Sequence, residues 1–351
     1  MAVETSVIVL NWNGARLLPA CLSALAAQSY RDFDLWLVDN GSIDESRQLL
    51  NDLETNKQPA WLAESLPSTP HLIRNSFNAG FAVGNNQAIR STGARYVVLL
   101  NNDAIPQPQW LEHLVSTANA APSCLGMVAS TMLFSHKQEI VASAGISLHR
   151  DGVALDRGMG MPTAKLEALG TSPVFGPSAG AALYSSALLR DVGLFDERFF
   201  SYLEDADLAW RARSRGWKAA HAPDAKVTHE YSATGGHNSP FKKSHVSRNR
   251  VWLLYKNMPE PLLRRYWPAI ARYDALAILY AIATGDRHLV RGRLDAISRL
   301  SEFTTDRRKI ITSARLHPYE VAAMLAPALS PRTTLKYRAR LNCLLSASSS
   351  F

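Results

Sequence analysis

The sequence predicts an α/β fold, a mostly parallel sheet with helices on both faces, followed by a basic helical extension. Three observations carry this. Short β-branched runs alternate with helix-length amphipathic segments through the first half of the chain, the pattern of a parallel sheet wrapped by helices. Three of those runs end in polar clusters, Asn11-Trp12-Asn13-Gly14, Asp39-Asn40-Gly41-Ser42 and Asn101-Asn102-Asp103, and open parallel sheets bind ligands at the carboxyl ends of their strands. From Lys242 onward the strand pattern gives way to helix-forming, basic sequence.

Taken in order, residues 6–11 (SVIVLN) read as a buried strand. A helix follows around Leu18–Gln28, with Pro19 suited to its first turn. Residues 33–39 (FDLWLVD) form the second strand. Ser42-Ile-Asp-Glu45 matches a capping box and predicts a helix from there to about Thr55. Helix Phe81–Ser91, strand Tyr96–Leu100, helix Pro108–Ala120 and strand Leu125–Ser130 continue the alternation. Residues 131–175 are irregular and rich in Gly. Ala181–Tyr184 reads as a strand, and Leu203–Arg215 as an amphipathic helix with Leu208, Ala209 and Ala212 on one stripe. Lys226–His229 reads as a short strand, and Ser232–Pro240 has the composition of a mobile lid.

Composition narrows the class. The 351 residues are 47% hydrophobic and 19% charged, which excludes wholesale disorder. Three scattered cysteines, Cys21, Cys124 and Cys343, point to a reducing compartment and away from a zinc site. The N-terminus lacks the pattern of a signal peptide, and the most apolar late run, residues 275–285, is too short to span a bilayer. The net charge of +8 is unevenly placed: residues 236–351 hold 20 Lys+Arg against 7 Asp+Glu, while residues 1–235 hold 18 against 23. A tail of net +13 fits an anionic surface, with a solvated helical face as the alternative. A nucleic-acid partner is not expected, because no recognised nucleic-acid module is present.

Several residues could carry chemistry. The first strand–helix turn has neither G-x-G-x-x-G nor a Walker A pattern, which disfavours dinucleotide oxidoreductases and P-loop phosphotransferases. Asp39 could accept a hydrogen bond from a nucleobase or close an Asx-turn. Asp103, after the most apolar strand, could hold a divalent ion, and Mg²⁺ tolerates a single carboxylate because it keeps waters and takes phosphate oxygens. His229 is the candidate second ligand. Glu204-Asp205 opens a helix after an aromatic run; a carboxylate there either caps the helix or serves as a general base on a rigid element. Asp196 and Asp207 are nearby competitors for that role.

Together the ordered segments VIVLNWNG (7–14), VDNGS (38–42), N-x-GFAxGNN (78–86), LLNNDA (99–104), GPSAGAALYSS (176–186) and GLFDERFFSYLEDADLAWRARSRGW (193–217) resemble the inverting family 2 glycosyltransferases of GT-A fold. The last segment and the tail at 285–310 look most like bacterial rhamnosyltransferase-type members. The resemblance implies a GT-A domain over 1–240, with a nucleotide-sugar-binding half (1–130) and an acceptor and catalytic half (131–240), then a helical region over 241–351, whose basic charge is what points to a membrane surface. It implies that Asp205 is the catalytic base. Donor contacts fall on Asn11, Asn13, Asp39, Asn78, Gly80, Asn102 and Asp103, acceptor contacts on Tyr202, Glu204 and Trp210. A divalent metal, Mg²⁺ or Mn²⁺, would sit on Asp103 and His229; the metal motif reads N-N-D here.

The implied partners are a nucleoside diphosphate sugar, first choice dTDP-L-rhamnose with UDP-GlcNAc or UDP-Gal as alternatives, and a saccharide or polyprenyl-linked saccharide acceptor. The anionic inner face of the cell membrane completes the set, and a homo-oligomer is left open. The Q-x-x-R-W motif of processive members is absent, so addition of one or a few sugars is expected. Two other classes compete. A sugar-1-phosphate nucleotidyltransferase would want a Gly-rich basic loop where NWNGARLL stands; a non-catalytic nucleotide-sugar-binding subunit would not need Asp103 and Asp205.

Overall fold

The computed structural model describes residues 3–55, 62, 65–166, 174–230 and 238–346. The first half alternates as the sequence implies: β1 (Thr5–Asn11), α1 (Leu18–Ala26), β2 (Phe33–Asp39), α2 (Ser46–Glu54), β3 (His71–Arg74), α3 (Phe81–Ser91), β4 (Tyr96–Asn101), β5 (Ala104–Pro106) and α4 (Trp110–Asn119). Then come β6 (Leu125–Phe134), β7 (Lys137–Ser143), β8 (Ile146–Leu148), β9 (Ala154–Asp156), β10 (Ala181–Ser185), α5 (Ser186–Val192), α6 (Glu204–Ser214) and β11 (Lys218–His229). The remainder is helical: α7 (Pro240–Asn257), α8 (Glu260–Thr284), α9 (Arg287–Ser298), α10 (Thr304–Ser313), α11 (Pro318–Met324) and α12 (Pro331–Ser346).

The main sheet runs β3-β2-β1-β4-β10-β6-β11-β5, with β7 also paired to β6. Strands β3, β2, β1 and β4 are mutually parallel, as the alternation requires. Beyond them β10 enters antiparallel between β4 and β6, so the sheet is mixed at its centre. The register sets the polar strand ends level with one another: Asn11 lies opposite Asp39, and Leu10 opposite Asn101.

Strand alternation divides the core. On β1, Val7 and Val9 face Leu18, Leu22 and Leu25 of α1, whereas Ile8 faces the layer containing Phe199, Trp210 and Trp252. That second layer also takes Leu262, Ala296, Phe303 and Leu325 from the C-terminal helices. The extension beyond residue 240 is helical as expected, yet it shares its core with the sheet. Each such fully buried large side chain contributes roughly 1.5–3 kcal/mol, so the helices are part of what holds this layer of the sheet together.

Two local readings change, and a third falls outside the described residues. The capping box at Ser42 does not form: α2 starts at Ser46, and Asp44 Oδ1 accepts from the Ser46 N–H at 3.1 Å. Ser42 Oγ instead accepts from the Asn13 N–H at 2.9 Å and from Asn11 Nδ2 at 3.1 Å. Strand β11 begins at Lys218, eight residues earlier than the sequence suggests, and carries a register shift between His221 and Lys226. Pro223 falls in that irregular stretch, where a bulge tolerates it. The expected lid at 232–240 lies mostly on residues 231–237, outside the described residues.

Candidate active site

The polar ends of β1, β2 and β4 open onto a cavity of about 750 Å³, within the usual size for a small-molecule site. Its walls include Asn40, Asn78, Gly80, Asn102 and Asp103 on one side and Tyr202, Glu204 and Asp205 on the other. The turns beneath it are built from side-chain amides. Asn11 Oδ1 accepts from Asn102 Nδ2 at 2.8 Å, tying the end of β1 to the residue just past β4. A Cβ on Gly14 would stand 2.2 Å from Asn102 Nδ2, so the glycine leaves room for this bridge. Asn13 adopts a positive φ of 50° and accepts from the Ile43 N–H at 2.8 Å. Asp39 Oδ1 accepts from the Ser42 N–H at 3.1 Å, closing an Asx-turn. Asn11, Asn13 and Asp39 are absent from the cavity lining and shape its floor from behind.

Asn40 is the amide the sequence reading passed over. Its Nδ2 donates to Asn78 Oδ1 at 2.9 Å and its Oδ1 accepts from the Ala79 N–H at 3.0 Å, which fixes the loop before α3. Gly80 follows with φ 89°, and a Cβ there would meet the Phe200 ring at 2.6 Å. The Asn-x-Gly-Phe segment is therefore a close approach between the loop before α3 and the aromatic loop before α6, which only glycine permits.

That aromatic loop is strained. Phe200, Tyr202 and Leu203 all have φ between 66° and 73°, a region costly for residues with a Cβ. Asn249 of α7 holds it by donating to the carbonyls of Phe199, Ser201 and Tyr202 at 2.7–3.0 Å. The strained turn delivers Glu204 and Asp205 at the first positions of α6. Asp205 Oδ1 accepts from the Ala206 N–H at 2.7 Å and Oδ2 from the Ala179 N–H at 3.2 Å. Burial pushes the Asp205 carboxyl up, the Ala179 and Ala206 N–H groups pull it back, and the charge of Asp156 pushes it up again, leaving it at about 6. Burial, reinforced by Asp205 and Asp207, drives Glu204 well above the carboxylate range. Its Oε2 is buried with no hydrogen-bond partner among the described residues. Burial thus raises both adjacent carboxyls, and it raises Glu204, which lacks the two backbone N–H groups that Asp205 accepts from, the more.

Asp103 and His229 meet across the sheet. Ala104 of β5 pairs with His229 of β11, and the Glu230 N–H donates to the Asp103 carbonyl at 3.0 Å. His229 Nε2 stands 3.0 Å from Asp103 Oδ1, both side chains nearly buried. Burial alone would lower the imidazole, but the Asp103 carboxylate outweighs it and raises its pKa. A carboxylate oxygen and an imidazole nitrogen side by side suit a divalent ion such as Mn²⁺ or Mg²⁺. No group of three or more His, Cys, Asp or Glu side chains gathers for a metal among the described residues, so phosphate oxygens and water would complete the shell.

Trp210, expected as an acceptor contact, shares with Asn11, Asn13 and Asp39 a place outside the cavity lining. Trp210 is fully buried, with its ring edge-on to Phe175 at 6.1 Å, and does not line the cavity. On α6 it sits about one and a half turns past Asp205, on the face turned into the core. Three cavity residues had no sequence signal: Asp156 at the end of the three-residue β9, and Lys242 and Tyr337 from the helical extension. Burial lowers Lys242 and lifts Tyr337, and the charge of Asp156 acts on both.

The sequence model of glycosyl transferase family 2 matches residues 6–190, just over half of the chain. The chain belongs to glycosyl transferase family 2. This family 2 glycosyltransferase is 25% identical over 251 residues to the N-acetylglucosaminyl-diphospho-decaprenol L-rhamnosyltransferase of Mycobacterium tuberculosis, covering 66% of this chain and 77% of that protein. It is 26% identical over 246 residues to the O-antigen biosynthesis protein RfbC of Myxococcus xanthus, covering 66% of this chain and 18% of that one. In fold it is similar to the mannosyltransferase PcManGT of Pyrobaculum calidifontis, solved with GDP-Man and Mn²⁺, with TM-score 0.53, 18% identity and coverage of 89% and 86%. It is also similar to GalNAc-T7, solved with UDP, GalNAc and Mn²⁺, with TM-score 0.59, 15% identity and coverage of 90% and 58%. The enzyme therefore has the GT-A fold with a helical C-terminal extension.

Proposed function

We propose that this glycosyltransferase moves a sugar from a nucleoside diphosphate donor to a hydroxyl of a saccharide acceptor, with inversion at the anomeric carbon. The observation that carries this reading is Asp205, a buried carboxylate with pKa about 6, in the same cavity as the Asp103–His229 pair. The Asp205 carboxylate takes the proton from the acceptor hydroxyl as that oxygen attacks the anomeric carbon. The bond from the anomeric carbon to the diphosphate oxygen breaks, and the diphosphate leaves with the electron pair. Asn78, Gly80 and Asn102 flank the donor, and Asp39, behind the floor, serves the nucleobase end with Asn11 and Asn13 as its supports. A divalent ion on Asp103 and His229 would supply positive charge to the departing diphosphate. Glu204, on the cavity wall beside Tyr202, contacts the acceptor.

The donor is read as dTDP-L-rhamnose and the acceptor as a saccharide carried on a polyprenyl lipid, in bacterial cell-surface glycan synthesis at the cytoplasmic face of the membrane. The support is likeness to a relative whose name states such a reaction. Incubating the purified enzyme with a panel of nucleotide sugars, with and without Mn²⁺, tests this. Thermal stabilisation and nucleoside diphosphate release are expected with dTDP-L-rhamnose. Release from a different donor replaces the sugar assignment, and silence across the whole panel removes the transferase reading.

A further inference from the structure

The second half of α8 stands out on the surface. Residues 275–284 (ALAILYAIAT) carry no charged side chain, and eight of the ten are exposed. Leu279 and Ile282 are 61% and 71% exposed, and Trp267, three to four turns earlier on α8, is 60% exposed. A monomeric protein rarely leaves so continuous an apolar run in water without a partner for it. No helix among the described residues is long and apolar enough to cross a membrane, so this end of α8 can lie on a bilayer but not traverse it.

The charge around it selects the partner. Arg287 and Arg291 of α9, and Arg332 and Lys336 of α12, are exposed and join no ion pair among the described residues. The guanidinium of Arg338 lies 5.1 Å above the Tyr280 ring, which places α12 against the apolar end of α8. The acidic side chains of the extension are already engaged. Six of its seven form ion pairs, and the seventh, Glu320, caps α11. The net +13 of residues 236–351 therefore has no local carboxylates left over to repel an anionic surface. An apolar helical face bordered by exposed arginine and lysine is the chemistry of interfacial binding to acidic lipid.

We infer that the exposed apolar end of α8, with the cations of α9 and α12 around it, is a docking surface for an anionic phospholipid bilayer. Its position suits the reaction. Tyr337 and Leu341 of α12 line the active cavity, while the adjacent Arg338 reaches Tyr280 on α8. One helix thus joins the bilayer-facing surface to the wall of the cavity, close to where a lipid-carried acceptor would leave the membrane. This link to the acceptor rests on the function proposed above; the docking itself does not.

Co-sedimentation of the full-length enzyme with vesicles of phosphatidylcholine and phosphatidylglycerol in equal parts tests the surface. Strong binding to these vesicles and weak binding to pure phosphatidylcholine are expected. The double variant Leu279→Ser/Ile282→Ser removes apolar surface without adding charge and touches nothing in the cavity. It should bind mixed vesicles roughly tenfold more weakly, with unchanged melting temperature and unchanged donor turnover in solution. Undiminished vesicle binding by the variant overturns the inference. So does a wild-type dimer in sedimentation velocity that the variant dissolves, because the face then belongs to a second copy. Vesicle binding without any donor turnover would retain the docking surface and remove the transferase reading instead.

Discussion

Two neighbouring carboxyls at the start of α6 divide the labour of the site by their surroundings. Asp205 receives two backbone N–H groups and Glu204 leaves Oε2 without a partner among the described residues, so the same burial raises the second far more than the first. If Asp205 is the base, transfer tracks its ionised fraction. The rate constant should fall about tenfold per pH unit below about 6 and level off above it, measurable as kcat/KM against pH. Asp205→Asn should lower transfer by roughly 10²–10⁴-fold while leaving donor affinity near wild type. Linkage runs the other way for stability. Its folded pKa stands above the ordinary 3.8, so the ionised group opposes folding, and its contribution declines as pH rises from 3.8 to about 6. Asp103→Ala should behave differently from Asp205→Asn: titration calorimetry with Mn²⁺ should show lost metal-dependence of donor binding, and an unchanged metal response would move the metal elsewhere.

At the scale of elements, α6 is held to the extension by a buried ion network. Lys256 of α7 donates to Asp196 at 2.6 Å and to Asp207 at 2.9 Å, and Asp207 also takes Arg211 at 2.9 Å and Asn257 at 2.8 Å. Burial opposes ionisation of both carboxylates. Arg198 and Lys256 hold Asp196 below the usual range, and Lys256 and Arg211 do the same for Asp207. These depressed groups add stability above the ordinary carboxylate pKa and lose it as pH falls through their folded values. Lys256→Met would leave two buried carboxylates one cation short, with Arg198 still on Asp196 and Arg211 and Asn257 still on Asp207, so a loss of roughly 3 kcal/mol, the low end for a broken buried pair, is expected in chemical denaturation. Trp210→Ala should cost a similar ~3–5 kcal/mol through the cavity it leaves, with acceptor KM unchanged in the folded fraction, as its removal from the site requires.

The same elements show what the sequence could tell. Strand β2 and helix α3 have the expected bounds because their period is clear over seven and eleven residues. Strands β5, β8 and β9 have three residues each, too short for any period to stand out, and Asp156 was missed with them. Ser42 looked like a cap because capping is a local rule, whereas its hydroxyl is taken by the amide network of another turn. Asp103 and His229 were legible as separate candidates; their juxtaposition depends on β5 and β11 pairing across more than a hundred residues.

For the whole molecule, the extension is both scaffold and wall. Helices α7 to α11 cannot be removed without opening the layer that holds Phe199 and Trp252. Helix α12 is attached more lightly. Arg340 donates to the Gly160 carbonyl, His136 Nε2 lies 2.8 Å from the Leu344 carbonyl, and Leu341 is its buried core residue. A chain ending at Ser330 should therefore still fold, with a lower melting temperature, since it gives up the buried Leu341 and the partly buried Tyr337, Leu344 and Leu345, and a fully buried leucine is worth roughly 1.5–3 kcal/mol. The cavity would lose Tyr337 and Leu341 from its wall and admit more water to the donor. Donor hydrolysis should rise relative to transfer, and acceptor KM should increase while donor affinity stays near wild type. Measuring released nucleoside diphosphate against glycosylated product in the same reaction reads that ratio directly. An unchanged ratio would mean that α12 covers the cavity without shaping what enters it.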